Sequence, residues 1–77
     1  MTTPVVLPES RVKSFKFYRN SNIYEGIMHG KSFYKLDSEF ILSNYRSSFQ
    51  SALRLAEQRR VVLTMGMSQH RIWTEIQ

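Results

Sequence analysis

Few side chains in this chain of 77 residues have the type and spacing for chemistry. His29 and His70 are the two side chains that ordinarily titrate near neutral pH. Both fall at expected turns or strand ends, where an exposed loop histidine is the ordinary outcome. As metal ligands they would need a third, such as Glu25 or Asp37, and the spacing supports no such set. The chain has no cysteine, which removes thiolate nucleophiles, thiolate metal sites and disulfide staples. No serine stands in a nucleophile-elbow context beside a base. The six acidic residues are scattered, without a spacing that argues an acid–base pair. The glycines form no phosphate-cradling loop. The expectation is therefore a non-enzymatic protein with no catalytic, metal or cofactor-binding residues.

What remains is binding. The chain carries 11 Lys and Arg against six Asp and Glu, a formal charge of +5, which suits an acidic protein or a polyanion. Cations and aromatics interleave in Phe15-Lys16-Phe17-Tyr18-Arg19 and again in Lys31-Ser32-Phe33-Tyr34-Lys35. On one sheet, with Phe15 and Phe17 turned to the core, Lys16 and Tyr18 face outward. Tyr24, either Phe33 or Tyr34, and Trp73 join them there. Tyr, Trp and Arg are the residue types enriched at protein interfaces. The same surface, aromatic with flanking cations, also suits stacked bases and phosphates. Arg46, Arg54, Arg59 and Arg60 add a basic helix edge. The candidate partner-binding set is Lys16, Tyr18, Arg19, Tyr24, Lys31, Lys35, Arg46, Arg54 and Trp73. The leading expectation is an adaptor or regulatory module docking a protein or larger complex, and the alternative is a nucleic-acid-binding domain.

The elements that must position these residues follow from pattern. Residues 1–10 hold Pro4 and Pro8 around Val5-Val6-Leu7. Proline removes a ladder donor, so an extended tail is expected rather than an internal strand. Residues 11–77 read as one α+β domain. Arg11–Arg19, Ile23–His29 and Ser32–Leu36 are expected as a meander, broken by the Asn20-Ser21-Asn22 turn and by Gly30, which supplies positive φ. Tyr45, Phe49, Ala52, Leu53 and Ala56 recur at helical spacing and are expected to be the buried face of an amphipathic helix. Its start has two readings. One places the cap at Asp37 or Ser38, favoured because Ile41 and Leu42 continue the stripe. The other ends an extended segment at Leu42 and caps the helix with Ser43. Val61–Met65 and His70–Ile76 read as a hairpin. The fold class expected is one antiparallel sheet in the order βββαββ with the helix packed on one face.

Tyr45, Phe49, Arg54-Leu55 and Val61-Val62-Leu63, following a meander and an N-terminal tail, resemble the small linker polypeptides of phycobilisomes. That resemblance implies an antenna adaptor whose basic surface wedges into a ring of acidic subunits. Arg59-Arg60 stand where that family carries a glycine pair, and a further strand follows. No segment reaches the roughly 18 apolar residues of a membrane span, and the first residues lack the pattern of a signal peptide. A cytoplasmic location is expected. The small core also makes homo-oligomerisation a possible source of stability.

Overall fold

The computed structural model describes residues 3–76. Strands β1 (Val5–Pro8), β2 (Ser14–Arg19), β3 (Asn22–His29) and β4 (Ser32–Ile41) precede helix α1 (Tyr45–Ala56). Strands β5 (Val61–Met65) and β6 (Gln69–Glu75) follow it. The six strands form one sheet in the order β1-β5-β6-β4-β3-β2. The α+β class, the meander and the β5–β6 hairpin are as expected. The sheet is mixed rather than antiparallel, because β1 pairs in parallel with β5, Val5 beside Val62 and Pro8 beside Met65. Val5–Pro8 are thus an edge strand and not a tail. An edge is where prolines are tolerated, since one side of the strand needs no donors.

The hairpin turns have local causes. Asn20 and Ser21, both at positive φ (52° and 66°), make the two-residue turn whose twist matches a β2–β3 hairpin. Gly30, at φ 62°, opens the β3–β4 turn.

Strand β4 runs to Ile41, so the extended reading of Phe40-Ile41 holds and the helix starting at Asp37 or Ser38 does not. A bulge between Leu36 and Ser38 shifts the register of β4 on β6. Leu36 lies opposite Trp73, whereas Ser38 lies opposite Ile72. Residues two apart therefore face opposite sides, which breaks the period of two. Tyr34 and Leu36 join one core cluster and Phe40 the other. Pairing with β6 also overrides the helix-cap character of Asp37-Ser38-Glu39, and Glu39 Oε1 meets Arg71 Nε at 3.3 Å.

Helix α1 packs on β4, β5 and β6. Its buried residues are Ser48, Ala52 and Ala56, against Val61, Leu63 and Ile72, with Phe40 and Leu55 half-buried at the margin. The expected stripe is therefore rotated. Ala52 and Ala56 are in, while Tyr45, Phe49 and Leu53 lie along a flank, Leu53 being 58% exposed. Small residues at the contact let the helix approach the sheet closely, and Ser48 is used for a specific bond. Its hydroxyl donates to the Tyr45 carbonyl at 2.7 Å. The one hydroxyl proton being spent, His70 Nδ1–H donates to Ser48 Oγ at 2.9 Å. His70 is accordingly buried beneath the helix, with Phe49 edge-on at 5.8 Å. The expectation of an exposed loop histidine fails there.

The sheet face away from the helix is not bare. Ile27, Tyr34, Val62 and Trp73 form a second buried cluster there, with Leu7, Val12 and Leu36 packed against it. Covering it is the segment 9–13, which must run from β1 at one edge to β2 at the other. A flat sheet would place those edges about 24 Å apart. Six steps from Pro8 to Ser14, three of them through the 3₁₀ turn Glu9–Arg11, reach only about 17 Å. The sheet must curl, and the segment straps across its concave side. Glu9 Oε1 fastens the strap to Arg71 Nη1 at 2.6 Å. The Glu9 carboxylate lies where a Gly66 side chain would be.

Candidate aromatic and basic interface

Register decides which side chains share a surface. Phe15 lies opposite Gly26, Phe17 opposite Tyr24, Met28 opposite Phe33, and Gly26 opposite Lys35. Lys35 in turn lies opposite Thr74, and Thr74 opposite Val61, whose side chain meets the helix. Phe15, Phe17, Arg19, Tyr24, Met28, Phe33 and Lys35 thus share the helix side of the sheet. The helix packs chiefly on β4, β5 and β6, and Phe15, Met28 and Phe33 toward the β2–β3 half of that side are exposed.

On this open half the rings form a continuous row. Phe33 meets Phe15 edge-on (6.0 Å, 88°), Phe15 meets Phe17 (6.1 Å, 53°), and Phe17 meets Tyr24 (5.6 Å, 31°). Lys35 Nζ stands 5.4 Å from the Tyr24 ring centre, a cation–π contact. Gly26 makes room for the row, because a Cβ there would come within 2.8 Å of the Phe17 ring. Phe15 and Phe33 are 38% and 48% exposed, and Met28 beside them is open to solvent. Beyond Tyr24 the row runs into a pocket of about 310 Å³ lined by Arg19, Lys35 and Arg59, with Glu75 as its acidic wall.

The expected site residues divide accordingly. Arg19, Tyr24 and Lys35 come together at the basic end of the row. Lys16 and Tyr18 point to the other side of β2, where Tyr18 is 74% exposed. Lys31 sits in the β3–β4 turn and lines a separate cleft with His29 and Arg60. Arg46 and Arg54 are exposed on α1, with Arg46 over the Tyr45 ring at 5.9 Å. Trp73 is a correction. It is 1% exposed, directly across from Val62, and its Nε1–H donates to Thr64 Oγ1 at 2.9 Å. It is a core residue, because the strap and the curl close the face expected to be open.

Of Phe33 and Tyr34 it is Phe33 that is exposed and Tyr34 that is buried, and Arg59 of the basic helix edge lines the pocket. Phe15 and Met28 were missed as surface residues. The signal was available in the element count. A helix is about 10 Å wide, and strands lie about 4.8 Å apart, so one helix covers two or three strands. A five- or six-stranded sheet must leave part of its helix side open.

Among the described residues no group of three or more His, Asp or Glu is placed to hold a metal ion, and no helix is long and apolar enough to cross a membrane. No protein-family model, curated protein or solved structure matches the chain. The likeness to phycobilisome linkers therefore rests on the residues quoted for it alone.

Proposed function

We propose that this chain is a non-enzymatic binding module that docks a protein partner through the open half of its helix-side sheet surface. The observation that carries this reading is the ring row Phe33-Phe15-Phe17-Tyr24, partly exposed and ending on the cations Lys35, Arg19 and Arg59. An apolar, aromatic centre with a charged rim is the anatomy of a protein interface. The rings pack against one another edge-on or tilted, and Lys35 covers Tyr24. That arrangement leaves fewer free ring faces than a base-stacking surface uses.

The test is photo-crosslinking in cells from a benzophenone side chain placed at Phe33, with the same probe at Arg54 as the control position. A protein adduct formed from position 33 and lost in a Phe15→Ser variant that melts as the parent does supports the reading. Adducts from both positions alike count against it. The net charge of +5 favours one second reading, single-stranded nucleic acid on the same surface. In that case the adduct is nuclease-sensitive, and affinity falls linearly with salt on logarithmic axes.

A further inference from the structure

We infer that the outer edge of β2 is a strand-addition site for an extended acidic segment of the partner, an inference that rests on the proposed binding surface. Among the described residues β2 pairs with β3 alone. Arg19 and Asn22 close a two-residue turn, and such a turn is closed by a hydrogen-bonded pair. Bonded and non-bonded pairs then alternate along the ladder. Arg19, Phe17 and Phe15 therefore spend their backbone groups on β3. Ser14, Lys16 and Tyr18 aim theirs outward, an open template for another strand.

The chemistry of the occupant follows from the two sides of that edge. On the helix side an added strand would lie beside Phe15 and Phe17 at the margin of the ring row, which favours apolar residues. On the other side it would lie beside Lys16 and Tyr18. Arg11, Lys13, Lys16 and Arg19 are the charged residues on or next to β2, and Glu25, across from Lys16, is the one acid in the β2–β3 hairpin. Like charge repels a second copy of this edge, and opposite charge selects the partner. The occupant is an extended peptide in which apolar and acidic residues alternate, its apolar side on the ring row and its acidic side toward Lys16.

The test uses the intact chain and a labelled octapeptide of alternating Glu and Val, read by fluorescence anisotropy. A Lys/Val peptide serves as the charge control. Two backbone-methylated versions carry N-methyl groups on one alternate set of residues or on the other. Strand addition uses the N–H groups of one set only. The expected result is that the Glu/Val peptide binds and the Lys/Val peptide does not. Methylation of one set should weaken binding at least about tenfold, and methylation of the other should leave it. Lys16→Pro, which removes an outward N–H without breaking the β2–β3 ladder, should weaken binding likewise. Equal loss from the two methylated sets, or no binding of the Glu/Val peptide, overturns strand addition. A protein adduct from Phe33 would still stand in that event, so the two readings fail separately. Binding of oligothymidylate without binding of peptide overturns both in favour of nucleic acid.

Discussion

At the scale of single residues, local conformational cost sits in the turn that shapes the open edge. Ser21 holds φ 66°, a region where an L-residue with a Cβ pays about 1 kcal/mol or more and glycine does not. Ser21 makes no side-chain hydrogen bond that glycine would forfeit among those found at this turn, where Asn22 Nδ2 donates to the Asn20 carbonyl. Ser21→Gly is therefore expected to stabilise the domain by about 1 kcal/mol. In a domain of this size that corresponds to a rise in Tm of roughly 4–8 °C, measurable by thermal melting. Asn20, by contrast, is a residue type that tolerates this region, and the Asn20-Ser21-Asn22 cluster announced the turn in the sequence for that reason.

At the scale of elements, what was legible followed from period, and what was not followed from interruption of period. The β5–β6 hairpin showed itself because Val61-Val62-Leu63 is β-branched and apolar and Ile72 alternates with Arg71 and Trp73. The end of β4 did not, because a bulge moves Ser38 to the opposite side from Leu36, and no periodic template contains that step. The helix was legible as a helix but not in its rotation. Sequence pattern weights large apolar residues, whereas close packing on the sheet selected the small ones, Ser48, Ala52 and Ala56. This gives a paired expectation. Leu53→Ala, at a largely exposed position, should change stability by no more than about 0.5 kcal/mol. Ala52→Leu, which forces side chain into a filled contact, should cost about 1–3 kcal/mol. Urea unfolding of the two variants checks both. Large loss in Leu53→Ala would mean that the helix turns its other flank to the sheet. The ring row was half legible. Its residue types were plain, but parity alone put Phe15 and Phe17 under a helix too narrow to reach them.

At the scale of the whole molecule, the strap and the curl create a second core that no single element announces. Val12 and Leu7 are unremarkable in sequence, and Trp73 looked like an interface residue until the fold closed over it. Tyr34 belongs to this core, and burial raises its phenol above the ordinary value of 10.0, with the Glu75 carboxylate adding and Arg60 opposing. Below that pH the phenol is neutral in folded and unfolded chains alike and lends no pH dependence. Above it the unfolded chain ionises first, so stability falls as pH rises toward the folded-state value. Urea midpoints for the parent chain and Tyr34→Phe should run parallel from neutral pH to about 10 and diverge above it, the parent falling faster. Parallel curves throughout would show a phenol in contact with solvent. The parallel pairing of Val5 with Val62 has a consequence for biosynthesis. Strand β1 is made before every other element, yet its partner β5 follows after more than fifty residues of chain. Contacts so distant in sequence carry the largest loop-closure cost and form late. During translation the earliest strand waits unpaired, and the strap can close the concave core only once nearly the whole domain has left the ribosome.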